Sequence, residues 1–339
     1  MSTIAITGAS GKLGNATLTA LLTHTNHPPS SIIPLTSSHP SSPTWTSLLS
    51  QNPSLQVRHA TFNDPSTFEY ALRGVDKLFL VSTPHVALDF EHEDGREKED
   101  GEGREKHHRV AIDAAVKAGV GHIYYSSLAF AWNTQTQAPG STSKAGVMRA
   151  HLRTEAYLSR LSAEGKVKVT VLREGLYNES WPLYLFGYGN GNDGGGDGRE
   201  VVPVRGDGRV CWTGIKELGV GSALVVAAED GGFDGRTVYL SSRARDARSL
   251  AEVAEVVGRV RGEGLGVRVV GREEYERYYI EERGGDRGAV RWWAGTYEAI
   301  RDEECEVDDP TLERLLASVG VKSKGVEECI AEMVKKADK

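Results

Sequence analysis

The sequence predicts an α/β protein: a doubly wound parallel sheet with a smaller C-terminal α/β lobe. Three observations carry this reading. Short β-branched runs alternate with amphipathic helical stretches through residues 3–174, a pattern that gives parallel strands with helices on both faces. A glycine-rich turn, "TGASGKLG" at 7–14, occupies the first strand-to-helix junction. Beyond residue 200 the chain changes character, as a second, smaller unit would.

The elements follow in order. "TIAIT" (3–7) is a short β-branched strand and "NATLTALLTH" (15–24) has a helical apolar face. "SIIPLT" (31–36) reads as a strand and "TWTSLLSQ" (44–51) as a short helix. "LQVRHATF" (55–62) is a third strand, and "PSTFEYALRG" (65–74) a helix closed by Gly74. "DKLFLVST" (76–83) is a buried-type strand, "KHHRVAIDAAVKAGV" (106–120) an amphipathic helix and "HIYYSSL" (122–128) the next strand. A long helix spans 141–165, and "KVTVLRE" (168–174) is a further strand. The expected division is a dinucleotide-binding domain over 1–180 and a substrate lobe over 181–339, with the chain crossing back to the sheet.

Three segments break the pattern. One is "HTNHPPSSIIPLTSSHPSSPT" (24–44), rich in Ser, Thr, Pro and His, which surrounds strand two. "EHEDGREKEDGEGREK" (91–106) holds eight acidic and four basic residues, and 187–200 has seven glycines in fourteen residues. The last two cannot bury enough apolar surface to fold alone, so both are expected to be mobile surface loops. The 187–200 stretch is a candidate flap over a site, since long loops at such points tend to serve function.

Bulk composition excludes several classes. The 339 residues carry a net charge of −7, which argues against nucleic acid or an anionic membrane as the main partner. No apolar run approaches membrane-spanning length. The N-terminus enters a strand at once with no basic n-region, so a cytoplasmic location is expected. Cys211, Cys305 and Cys329 are scattered without metal spacing, and no metal site is expected. Adjacent His107 and His108 look like a metal doublet. Neighbours on a helix point apart, however, and a solvated helix start is the expectation.

The glycines at 8, 11 and 14 follow a strand and open a helix, the context that marks a dinucleotide turn of Rossmann type. Gly8 permits the turn, Gly11 lets backbone approach a pyrophosphate, and Gly14 lets helix pack close on strand. The amides of Ser10 to Leu13 then point at phosphate from a helix N-terminus. NAD sites carry an acid at the end of strand two to hold the ribose diol. Here that end reads Thr36, Ser37, Ser38, His39. No acid is present, so NADP is expected over NAD, with Ser37 and Ser38 at the 2′-phosphate.

With these residues the chain resembles the NmrA-like, atypical short-chain dehydrogenase family, in particular its quinone oxidoreductase and triphenylmethane reductase type. The resemblance runs through "TGASGKLG", "GVDKLFLVSTP" (74–84), "HHRVAIDAAVKAGVGHIYYSSL" (107–128), "AHLRTEAYL" (150–158), "VTVLREGLYNES" (169–180) and "RVCWTGIKELGVGSALVVAAE" (209–229). It implies that Gly8, Ser10, Gly11, Lys12 and Leu13 hold the pyrophosphate, and that Ser82, Thr83 and Pro84 pass the adenosine ribose. It places Ser126 and Ser127 near the nicotinamide ribose. Gly175, Leu176 and Tyr177 would wrap the nicotinamide, with His151 and Glu155 on a helix facing the cofactor. The Tyr-x-x-x-Lys pair of classical members is missing: Tyr124 and Tyr125 have no Lys four residues on, Tyr157 is followed by Leu161, and Ala156 stands where relatives often carry Lys.

The implied activity is NAD(P)H-dependent reduction of a quinone, enone or other conjugated or aromatic carbonyl, in a secondary-metabolic setting. Hydride transfer itself needs no protein acid, but a ketone profits from a donor within hydrogen-bond reach. The candidate donors are Tyr177, His151 and Ser127. His151 could equally form a surface pair with Glu155 one turn on. Trp292 and Trp293 could line an aromatic pocket or form lobe core. Two other readings stay open: a non-reductive enzyme on the same fold, and a non-catalytic NAD(P)-binding regulator. The expected partner is a small molecule, and the assembly a monomer or homodimer.

Overall fold

The strand order of the sheet differs from its order along the chain, and that difference creates the site. The computed structural model describes residues 1–92, 96–187, 201–229 and 231–337. In chain order its first half contains β1 (Ile4–Ile6), α1 (Lys12–His24), β2 (Ile32–Thr36), α2 (Pro43–Gln51), β3 (Arg58–His59), α3 (Pro65–Ala71), β4 (Lys77–Leu80), α4 (Glu105–Ala118) and β5 (His122–Leu128). Then come β6 (Trp132–Asn133), β7 (Ala138–Pro139), α5 (Gly146–Ala163), β8 (Lys168–Glu174), α6 (Trp181–Phe186), β9 (Val201–Val204), α7 (Ile215–Ala227) and β10 (Thr237–Leu240). The last elements are α8 (Leu250–Arg261), β11 (Gly266–Val269), α9 (Arg272–Glu276), α10 (Arg287–Arg301), α11 (Thr311–Ser318) and α12 (Val326–Ala337).

Seven strands form one parallel sheet in the order β10-β8-β5-β4-β1-β2-β3. The chain winds outward from β1 in one direction, then returns and winds in the other. The protein therefore has the Rossmann-type doubly wound fold read from the sequence. The two winding directions part between β1 and β4, and a crevice opens there at the carboxyl ends of the strands. The central strands are buried on both faces. Ile4, Ile6, Leu78, Phe79 and Ile123 are all fully enclosed, and each such side chain stabilises the fold by about 1.5–3 kcal/mol.

One face packs against α1 and α7, the other against α3, α4 and α5. Both α7 and β10 lie beyond residue 180 and yet belong to this layer. So does α11, which packs on α7 and β10, and the other C-terminal elements build a lobe around the small parallel pair β9–β11. Trp181, Trp212, Trp292, Trp293, Tyr184, Tyr275 and Tyr297 fill its core. Trp292 and Trp293 thus belong to lobe core. Cys211, Cys305 and Cys329 are buried and unpaired.

Several expectations need correction. The third strand shrinks from eight residues to Arg58–His59, because β2 offers partners only at Leu35 and Thr36 before the edge ends. The long helix starts at Gly146, not 141. Glu304 takes the Ser143 hydroxyl and the Lys144 N–H (3.0 Å), which holds the approach extended. The described part of 91–106 is docked. Arg149 pairs with Glu97 at 2.7 Å, Arg153 donates to the Lys98 and Glu99 carbonyls, and Glu105 is fully buried. Composition alone cannot show that α5 supplies the matching cations. The candidate flap at 187–200 lies outside the described residues, apart from Gly187.

Candidate functional site

The crevice between β1 and β4 is a cleft of about 460 Å³. Its floor is the first strand-to-helix turn. Gly8 has φ +58°, a left-handed conformation that glycine adopts freely, and its carbonyl accepts from the Gly11 N–H at 2.8 Å. A Cβ on Gly14 would lie 2.2 Å from the Gly8 carbonyl oxygen, so α1 can enter this close only without a side chain there. No side chain caps α1, and its first turn holds no acid. Among the described residues the amides of Lys12 and Leu13 are left for a ligand and favour an anion, whereas the Gly11 N–H, expected to face phosphate, is turned to the Gly8 carbonyl instead.

Gly8, Ser10, Gly11, Lys12, Leu13, Ser37, Ser82, Pro84 and Tyr177 all line this cleft, joined by Thr61, Phe62, Asn63 and His85 from neighbouring strand ends. Among the described residues no carboxylate lines it, and Lys12 is its one lysine or arginine. The turn therefore fits a pyrophosphate, and the surround suits a ligand with further negative charge. Ser38 stands outside the lining. Its N–H donates to Thr36 Oγ1, and its carbonyl faces His59 Nδ1 at 3.3 Å.

The remaining predicted residues are placed behind the cleft rather than on it. Gly175 is buried against Thr213, whose Oγ1 a Cβ would meet at 2.2 Å, and Leu176 packs into the lobe core. Thr83 is buried, with its N–H turned to His108. The two serines closing β5 point to opposite faces, as strand alternation dictates. Ser126 donates to Glu174 Oε2 (3.0 Å) and Ser127 to Glu155 Oε1 (2.6 Å). The Ser127 hydrogen, expected as a proton source, is thus committed to a carboxylate. Tyr177 is half-buried, and burial, with Glu174 next, holds its phenol well above the usual range.

Sequence reasoning missed the chemistry beneath. His108 is fully buried, not part of a solvated helix start. Its Nε2 meets Ser82 Oγ (3.1 Å) and the Thr83 N–H (3.3 Å), and its Nδ1 meets Thr154 Oγ1 (2.8 Å) and Tyr125 Oη (3.3 Å). Tyr125 Oη then reaches His151 Nδ1 at 2.8 Å. His151 is 2% exposed, and its partner is this tyrosine rather than Glu155. Burial first, and the nearby Arg104 second, press both imidazoles well below their ordinary pKa, so both are neutral. Glu155 instead pairs with Arg173 at 2.6 Å. Arg104 is held by Asp89 at 2.6 Å and donates to Ser82 Oγ at 3.4 Å.

A periodic signal for these residues was present. His108, Ala111, Ile112 and Ala115 share one face of α4, and Val147, His151, Thr154, Leu158 and Leu161 one face of α5. Polar residues inside an apolar stripe mark a buried network.

Glu174 is a second hidden feature. It is fully enclosed, accepts from Ser126 and Ser222, and burial raises it to about 8. At neutral pH it is predominantly a neutral acid one residue before Gly175. Among the described residues no cluster of three or more His, Cys, Asp or Glu side chains could hold a metal, and no helix is long and apolar enough to cross a membrane.

Known proteins share this architecture. The "NmrA-like family domain-containing oxidoreductase flvB" of Aspergillus flavus is 29% identical over 221 residues, covering 65% of this chain and 61% of that protein. Quinone oxidoreductase 2 of Escherichia coli is 32% identical over 178 residues, covering 52% of this chain and 50% of that protein. The chain thus spans only half to three-fifths of these curated relatives. Among solved structures, Citrobacter sp. triphenylmethane reductase complexed with NADP(H) superposes with a TM-score of 0.71 at 24% identity, covering 98% of this chain and 99% of that one. The Escherichia coli NADPH-dependent quinone oxidoreductase complexed with NADPH gives 0.72 at 24% identity, covering 98% and 100%. These likenesses establish the shared fold. The pattern of the NmrA-like family matches residues 1–278, and the chain belongs to that family.

Proposed function

We propose that this protein is an NADPH-dependent reductase of a quinone, enone or other conjugated carbonyl. The carrying observation is the uncapped, acid-free glycine turn at the winding switch, in a cleft that no carboxylate lines among the described residues. Gly8, Ser10, Gly11, Lys12 and Leu13 would hold the pyrophosphate, and Ser37 the 2′-phosphate, with Ser82 and Pro84 beside the ribose. Tyr177 would sit at the nicotinamide end. Bound there, the reduced nicotinamide would supply the hydride. The relatives support this reading by their names: an oxidoreductase, a quinone oxidoreductase and a dye reductase.

The protein's own part is to bind, orient and manage a proton. Tyr177 and His151 are the two donors left, because Ser127 is committed to Glu155. The substrate is proposed to be an aromatic or conjugated small molecule, and the setting secondary metabolism. The test is stopped-flow oxidation of NADPH by the purified protein across a panel of quinones, enones and aromatic ketones. Turnover with at least one class supports the reading. Tight NADPH binding without turnover on any class would sink it and favour a binding regulator. Product formed while NADPH stays unconsumed would favour a non-reductive enzyme.

A further inference from the structure

Ser82 is where the cleft meets the buried polar groups, and those groups fix the direction of its hydroxyl. A backbone N–H can only donate, so the Thr83 amide, 3.3 Å away, makes His108 Nε2 an acceptor. Thr154 agrees from the other side of the ring. Its hydroxyl hydrogen goes to the Ala150 carbonyl at 2.8 Å, so Oγ1 accepts the one His108 ring proton, on Nδ1, at 2.8 Å. The bare Nε2 lies 3.1 Å from Ser82 Oγ. Two lone pairs at that distance would repel, so the Ser82 hydrogen lies between them, and Nε2 is shared by the hydroxyl and the Thr83 amide. Arg104 has donors alone, and its Nη1 reaches Ser82 Oγ at 3.4 Å. That guanidinium is buried and fixed by Asp89 at 2.6 Å and by the Val147 carbonyl at 2.8 Å. The Ser82 hydrogen and one of its two lone pairs are therefore taken. One lone pair is left for a ligand.

We propose that His108 and Arg104 are positioning residues that make Ser82 a pure hydrogen-bond acceptor in the nucleotide cleft, where it selects a ribose hydroxyl. This rests on the dinucleotide reading above. A serine free to rotate would donate to a phosphate as readily as it accepts from a sugar. A serine held in this way takes a hydroxyl and turns away phosphate or carboxylate oxygens, which only accept. The same cleft holds the opposite preference at the glycine turn, where the free amides of α1 only donate. Acceptor and donors at separate points set the register of the nucleotide: sugar at Ser82, pyrophosphate at the turn. His108 touches no ligand in this arrangement and acts through Ser82.

Two measurements test this. The first is ¹⁵N NMR of histidine-labelled protein without nucleotide. His108 should be the Nδ1–H form, and an Nε2–H or imidazolium His108 overturns the proposal. The second is fluorescence titration with NADPH and with two analogues, one lacking the adenosine 3′-hydroxyl and one lacking the nicotinamide-ribose hydroxyls. Wild type should bind one of the two about fivefold more weakly than NADPH, and which one names the ribose. Ser82→Ala should bind that analogue and NADPH alike. His108→Phe, which cannot accept, should shrink the fivefold preference to twofold or less, and His108→Gln, whose Oε1 can stand in for Nε2, should restore it. If His108→Phe weakens every ligand by the same factor and keeps the preference, His108 is merely structural and the proposal fails. It fails too if wild type binds NADPH but discriminates against neither analogue, a result that leaves the dinucleotide reading standing. Failure to bind NADPH at all would remove that reading, and the ribose contact with it.

Discussion

At the scale of single residues, the sharpest consequence concerns Glu174. Its pKa in the fold is about 8, raised by burial from an ordinary carboxyl value near 4.5. The folded protein therefore holds this proton more tightly than the unfolded chain. Its contribution to stability is fully present below about pH 4.5 and falls away as pH rises toward 8, by about 1.4 kcal/mol per pH unit for one proton. Glu174→Gln mimics the neutral acid and removes that slope. Urea denaturation at pH 5 to 8 should show the variant gaining on wild type as pH rises. A constant difference would mean that Glu174 is ionised in the fold. Ser37 makes a second residue-scale case. A carboxylate there would accept the ribose diol of NAD and repel a 2′-phosphate. Ser37→Asp should weaken NADPH at least tenfold in a fluorescence titration while NADH holds or tightens. Equal loss of both would remove Ser37 from the 2′-phosphate site.

At the scale of elements, α5 is the piece that sets the site's geometry. It carries His151 and Thr154, and it is tied to β8 by the Arg173–Glu155 pair, buried at 3% and 13% side-chain exposure. Removing one partner leaves a charge inside. Glu155→Ala should therefore cost about 3 kcal/mol of stability, and Arg173→Met in the same chain should restore much of it. A double-mutant cycle by chemical denaturation checks this; strictly additive losses would mean the pair holds nothing together. The strands and helices themselves were legible, because period and β-branching reveal a buried parallel sheet. The docked stretch before α4 was not. Its charges read as solvated until Arg149 and Arg153 arrive from a helix some fifty residues away. His108 was misread for a different reason: it was weighed against His107 beside it, whereas position on the apolar stripe decides burial.

At the scale of the molecule, the sheet order fixes where chemistry can occur. The glycine turn, the acid-free end of β2 and the Ser82 end of β4 come from separate stretches, and the winding switch alone brings them together. That convergence was readable from "TGASGKLG" and the alternation. The polar network behind it was not, because it depends on which atom of each ring faces which neighbour. The most direct measurement is a titration of the purified protein with NADPH and NADH, with Gly14→Val beside it. Wild type should bind NADPH in preference to NADH and gain thermal stability as it saturates, by about 2.7 kcal/mol at a hundred times Kd. The variant, whose side chain would meet the Gly8 carbonyl, should lose binding. Failure of wild type to bind either nucleotide would mean that the cleft is not a dinucleotide site.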